Sequence, residues 1–190
     1  MPDLNELLQL ATDTFADRLG QVQPDQWDVP TPCEGWSVRD LVAHVVGGNA
    51  MAVALLGGAS TEDAVALFTG TELADDVAAQ FAEGAAAQLA AFAGDGTATQ
   101  VLHHPMGDLP GEVVHGFRVG DLTLHAWDLS RAIGADETLP APLVEAVYAS
   151  LEPMAPMLGA TGMFGDGPSG DASAEAPLQQ RLLDLAGRRA

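Results

Sequence analysis

Three residues interrupt helical stripes that are otherwise apolar: His44, Asp121 and His125. Asp121 and His125 are four apart, so on a helix they stand one turn above each other on one face. Phe117 and Leu124 flank that face. His44 falls in a separate stripe with Leu41, Val45, Gly48, Met51, Ala52 and Leu55. Each polar group buried without a partner costs about 1–3 kcal/mol, and an isolated charge costs far more. A divalent cation satisfies all three residues at once, because neutral imidazole and carboxylate are ordinary metal ligands and bundle cores hold such sites. Spacing alone leaves two plainer readings open. Asp121 can pair with Arg118 as a salt bridge at the rim, and His44 can be a core histidine bonded to a backbone carbonyl.

Other side chains are weighed against that trio. Asn49, one turn beyond Val45, is a candidate to line a pocket. His103 or His104 could face the same cavity as an acid/base group. Asp128 either supports His125 from behind or pairs with Arg131 three residues on. Cys33 stands next to Glu34, so packing is the better reading of that thiol, which would need an electropositive site to be reactive. Trp36 and Trp127 read as core anchors, and His115 lies off the ligand face and reads as a surface residue. No nucleophile or general base is legible, so the catalytic residues stay unassigned.

The elements that must position these residues are helical. Asp3 and Glu6 form a capping-box pair at the start of a first helix whose Leu4, Leu7, Leu8, Ala11, Phe15 and Leu19 recur at helical spacing, with Gly20 ending it. Residues 21–35 hold Pro24, Pro30 and Pro32 and read as an extended connection. Ser37, with Asp40 at the capping-box position, opens a second helix that Gly57-Gly58 ends. A short amphipathic piece is expected from Thr61 to Phe68, and a long alanine-rich helix from Leu73 to Phe92. Thr99 to His104 reads as a loop or an edge strand. A fourth long helix is expected from Pro110 to Ile133 and a fifth from Ala141 to Leu158. The stretch from Gly159 to Pro177 is loop-like, and a last short helix runs from Leu178 to Leu185. The expected fold class is all-α, a four-helix bundle with short extra helices and a loop-rich C-terminal segment.

Composition narrows the function classes. The chain has 190 residues, 27 acidic against seven basic, and a formal net charge of −20. Every basic residue is an arginine, which excludes a Schiff-base or P-loop lysine. Binding to nucleic acid or an anionic membrane is disfavoured, since phosphate contacts need a basic face. Apolar residues make up 47%, enough for a packed core. No run of about 18 apolar residues is evident. The single cysteine, Cys33, cannot form an internal disulfide, and a cytoplasmic protein is expected.

Two segments carry a resemblance. Thr31-Pro32-Cys33-Glu34-Gly35-Trp36-Ser37-Val38-Arg39-Asp40-Leu41-Val42-Ala43-His44 resembles the N-terminal signature of the mycothiol-dependent maleylpyruvate isomerase-like proteins, a branch of the DinB-like metal-binding bundles. Asp121-Leu122-Thr123-Leu124-His125-Ala126-Trp127-Asp128-Leu129-Ser130-Arg131-Ala132-Ile133-Gly134 is similar to the family's second signature. The tail from Phe164-Gly165 through Arg181-Leu182-Leu183 resembles the family's short, single-domain branch. The resemblance implies a DinB-like bundle over residues 1–158, with residues 159–190 packed on the same domain. It also implies that His44, Asp121 and His125 bind a divalent metal, with zinc first and nickel, iron or manganese as alternatives.

Two departures shape the expectation about function. The metal carboxylate is an aspartate, one methylene shorter than the glutamate of the isomerase. A chain of 190 residues also leaves little room for the isomerase's additional C-terminal domain. The expectation is therefore a thiol-dependent transferase or isomerase acting on a small electrophile, with mycothiol as cosubstrate and the metal activating thiol or water. The alternative is a non-catalytic metal- or ligand-binding bundle serving as a sensor or interaction module. The expected partner is a small-molecule substrate or thiol, with no nucleic acid and no membrane, and a homodimer is compatible with the sequence.

Overall fold

The computed structural model describes residues 2–189, apart from the side chain at position 161. Residues 1 and 190, the outer bounds of the two expected segments, lie outside that range. Four long helices carry the bundle: α1 (Leu4–Leu19), α2 (Val38–Leu56), α4 (Val77–Phe92) and α5 (Gly111–Ile133). Short helix α3 (Thr61–Thr69) packs on α2. A hairpin of β1 (Val101–His104) and β2 (Gly107–Pro110) links α4 to α5. The helices α6 (Ala141–Leu151), α7 (Ala155–Leu158) and α8 (Leu178–Leu185) complete the chain, and α8 rests on α6. This is the all-α four-helix bundle that the periodicity implies.

Local chemistry sets the helix ends. Both capping boxes form: Asp3 with Glu6 starts α1, and Ser37 with Asp40 starts α2. The third long helix starts later than its apolar pattern suggests. The Asp76 side chain caps it by accepting from Ala79 N–H, so residues 73–76 stay outside it. The fifth expected helix is interrupted. It stops at Leu151, passes through a 3-10 turn at Glu152–Met154 and resumes at Ala155. Pro153 and Pro156 explain the break, because neither has the N–H that would continue the ladder. The strand alternative holds for Val101–His104, which pairs antiparallel with Gly107–Pro110 in the register His103 to Asp108.

The core lies between α1, α2, α4 and α5. Phe15 and Phe81 meet there with ring centroids 5.1 Å apart, and Trp127 is buried, as its reading as an anchor requires. Each fully buried leucine or phenylalanine contributes about 1.5–3 kcal/mol. By length and composition, α2 is apolar enough to cross a membrane, which corrects the sequence reading of its hydropathy. Its contacts with α3, α4 and α5 give a packing reason for that character, that of a bundle's central helix.

Two backbone features place side chains over one end of the core. Residues 27–38 fold back on the start of α2 through Thr31 N–H to Trp36 C=O, Val38 N–H to Val29 C=O and Arg39 N–H to Trp27 C=O. That loop carries Cys33 and Trp36. At the other end of the chain, Gly187 adopts φ +73°, and a Cβ there would lie 2.0 Å from the Phe164 carbonyl oxygen. Only glycine fits that turn, which presents Arg188.

Candidate metal centre

α2 contributes His44 and α5 contributes Asp121 and His125, at the helical spacing expected. Asp121 Oδ1 stands 3.1 Å from His44 Nε2 and 3.4 Å from His125 Nε2. The donor atoms of the three residues all lie within 4.8 Å of one another. The side chains of His44 and Asp121 keep 23% of their surface exposed, while that of His125 keeps 9%. The cluster is therefore recessed and still reachable from solvent.

Aromatic rings frame it. The Trp36 ring lies 4.8 Å from that of His44 and 5.9 Å from that of His125. Phe68 meets His44 edge-on at 5.0 Å. Trp36, expected as a core anchor, is only half-buried and packs beside the cluster.

The second oxygen of Asp121 is already taken. Oδ2 accepts from Arg118 Nη1 at 2.6 Å. Arg118 is 5% exposed, so this pair is internal rather than the rim salt bridge the sequence left open. Its other nitrogens donate to Gln88 Oε1 at 2.7 Å, to Asn49 Oδ1 at 2.9 Å and to the Val45 carbonyl at 3.3 Å. A guanidinium only donates, so both amides must turn their oxygens toward it. Asn49 Nδ2 and Gln88 Nε2 consequently have no partner among the described residues. Asn49, expected to line a pocket, is fully buried and instead holds Arg118.

Behind His125 runs a second chain of contacts. Its Nδ1 lies 2.9 Å from Asp128 Oδ2, which also accepts from Arg188 Nη2 at 2.7 Å and from the Cys33 thiol at 3.4 Å. Arg188 Nε reaches Asp128 Oδ1 at 3.2 Å. Of the two alternatives for Asp128, support of His125 is the one seen, and a pair with Arg131 does not form. Arg131 instead binds Glu137 at 2.6 Å, across the turn that follows α5. Cys33, His125 and Asp128 also have donor atoms within 4.8 Å of one another. Arg188 occupies both oxygens of Asp128, so we read this group as an ion-paired support for His125 rather than a second ligand set.

Electrostatics follow from the contacts. Burial raises the Asp121 carboxyl, but His44, Arg118 and His125 outweigh it and hold the group well below the usual range. Burial pushes His125 down, but Asp121 and hydrogen bonds to Asp121, Asp128 and Cys33 lift it well above its ordinary value. Burial also raises Asp128, yet His125 and Arg188 bring it to about 2. The cluster thus draws positive charge toward Asp121 Oδ1. Two imidazole nitrogens and one carboxylate oxygen are a donor set suited to a divalent cation, with positions left open. With Nδ1 engaged by Asp128, His125 presents Nε2 to that position.

The remaining sequence candidates lie elsewhere. His103 is exposed on the hairpin and pairs with Asp108 at 2.8 Å, directly opposite in the register. His104 packs against Phe117 at 5.7 Å. His115, expected at the surface, is buried and stacks on Phe92 with centroids 4.1 Å apart. Gln88 and Arg188 were not foreseen as parts of the site, and Arg118 was raised only as a rim partner of Asp121. Only Arg118 left a signal, its three-residue offset from Asp121.

Comparisons with known proteins identify the family and the fold. The family model described as the mycothiol maleylpyruvate isomerase N-terminal domain matches residues 8–130. Two uncharacterized proteins of Mycobacterium tuberculosis, from strains CDC 1551 / Oshkosh and H37Rv, are each 34% identical over 182 residues. Each match covers 95% of this chain and 94% of its relative. Among solved structures, the mycothiol-dependent maleylpyruvate isomerase superposes with a TM-score of 0.57, and a histidine-to-alanine mutant of it with 0.60. Both are 20% identical, with 79% of this chain and 70% of theirs covered, a likeness of fold. The matched region contains His44, Asp121 and His125, and the chain belongs to the mycothiol maleylpyruvate isomerase N-terminal domain family.

Proposed function

We propose that this protein is a metal-dependent thiol enzyme, which joins a low-molecular-weight thiol of the mycothiol type to a small electrophile or isomerises a substrate through such an adduct. The observation that carries the reading is Asp121 Oδ1 set between Nε2 of His44 and Nε2 of His125, in a recess that solvent reaches. His44, Asp121 and His125 would hold the metal. A bound divalent ion there supplies Lewis acidity, lowering the pKa of a coordinated thiol or water.

The protein's own residues prepare that position. Asp128 fixes the proton of His125 on Nδ1. Arg118 holds Asp121 Oδ2, leaving Oδ1 for the ligand position. Trp36 and Phe68 shield His44 from bulk water on two sides. With no lysine in the chain, an anionic electrophile would be held by arginines, backbone amides or the metal. The solvent access of the trio favours catalysis over a closed binding module, because an enzyme needs an open coordination position. The test is transferase activity of the zinc-loaded protein with mycothiol and a panel of electrophiles, maleylpyruvate among them. Turnover that requires both metal and thiol is expected. Full metal loading with no turnover of any electrophile would favour the sensor or interaction module.

A further inference from the structure

We infer that the C-terminal turn is a working part of the metal centre, with Arg188 a positioning residue for His125. The inference rests on the reading of His44, Asp121 and His125 as a metal site. The contacts run without a gap. Arg188 grips both oxygens of Asp128, at 2.7 and 3.2 Å, and Asp128 Oδ2 in turn accepts from His125 Nδ1 at 2.9 Å.

The turn is built to deliver that guanidinium. Arg188 N–H bonds the Leu183 carbonyl at 2.8 Å, and Gly187 N–H bonds the Asp184 carbonyl at 3.0 Å. Arg188 Nη1 donates back to the Ala186 carbonyl at 2.9 Å, which fixes the side chain on its own turn. The Arg188 side chain is 10% exposed and that of Asp128 is fully buried. A buried carboxylate without its cation would reorient toward other donors, and would then no longer hold His125 Nδ1 in one orientation. Arg188 thereby sets both the orientation of the His125 ring and the nitrogen that faces the ligand position. A lysine places one charge but cannot grip both oxygens in the same plane.

The experiment measures Zn²⁺ affinity by competition with a chromophoric chelator, and the visible absorption of the Co²⁺ form, which reports coordination geometry. The full chain is compared with Arg188→Ala, Arg188→Lys, Asp128→Asn and the Asp128→Asn/Arg188→Ala double variant. Circular dichroism serves as the folding control, and the asparagine background removes the buried charge that could unfold Arg188→Ala. Arg188→Ala is expected to weaken Zn²⁺ binding about 10- to 100-fold and to alter the Co²⁺ band, with Arg188→Lys intermediate. In the Asp128→Asn background the same replacement is expected to have little further effect, because its route to His125 is already cut. If the wild-type chain binds Zn²⁺ and Arg188→Ala binds it equally well, this inference falls and the metal site stands. An effect of Arg188→Ala that persists undiminished beside Asp128→Asn also overturns it. If the wild-type chain binds no Zn²⁺, the metal reading and this inference fall together.

Discussion

Gly48 on α2 and Arg118 on α5 compete for the same space: a Cβ at position 48 would lie 2.2 Å from Arg118 Nη1. The absent side chain lets the guanidinium lie against α2, where it reaches the Val45 carbonyl and Asn49 while still holding Asp121 on its own helix. Arg118 is a flexible side chain by type, but four hydrogen-bonded groups pin it here, so it cannot step aside without losing them.

Gly48→Ala is therefore expected to destabilise the protein, although alanine is the better helix former. Overpacking costs about 1–3 kcal/mol, and the helix-propensity gain offsets only about 1 kcal/mol of it. Urea unfolding measures the outcome. A variant as stable as the wild type, with Zn²⁺ affinity unchanged, would show that Arg118 has another place to go.

Removing the arginine leaves Asp121 Oδ2 without its hydrogen-bond donor. Arg118→Ala is expected to cost about 3–5 kcal/mol, the usual cost of breaking a buried ion pair from one side. Excess Zn²⁺ is expected to recover part of that loss, because the cation neutralises the same carboxylate and binds only the folded chain. Urea unfolding with and without Zn²⁺ reads both effects. A variant that gains no more from Zn²⁺ than the wild type would argue against Asp121 as a ligand.

His115 gives the fold a pH dependence separate from the site. Burial lowers its pKa, outweighing Asp3 and the Leu4 backbone, which push the other way. The folded value lies below the unfolded one, which is about 6.5. The stability it contributes is full above the unfolded value and is lost as pH falls below it and through the lower folded value. His115→Phe keeps the stack on Phe92 and removes that slope. Urea midpoints compared between about pH 7.5 and about pH 5 are expected to fall further for the wild type than for the variant. Parallel curves would assign the slope to other groups.

Trp36 offers an optical readout of the cluster, with its ring 4.8 Å from that of His44. Binding of paramagnetic Co²⁺ is expected to quench a share of the tryptophan fluorescence at stoichiometric addition. Trp36→Phe is expected to lose most of that quenching while Trp27 and Trp127 still emit. Unchanged quenching in the variant would place the ion elsewhere.

The parts of this arrangement that local periodicity encodes were legible in the sequence. Asp121 and His125 share a face because they are one helical turn apart, and the Ser37/Asp40 box fixes where the helix of His44 begins. Asp76 and Pro153 shifted two expected helix limits through local signals that the apolar pattern outweighed. The pairing of Arg188 with Asp128 spans 60 positions and leaves no periodic trace. The burial of His115 depends on Phe92 from another helix, which its own helix does not announce. The orientation of Asn49 is set by what Arg118 can donate, a constraint visible only once the two are side by side.

The central claim is that His44, Asp121 and His125 together hold a divalent ion. Its most direct test is metal content by mass spectrometry after dialysis against Zn²⁺ and then against buffer, for the wild type and for the His44→Ala/His125→Ala double variant. The expected result is one ion per chain in the wild type and negligible metal in a folded double variant. Equal metal in the two proteins, whether high or negligible, would contradict the claim.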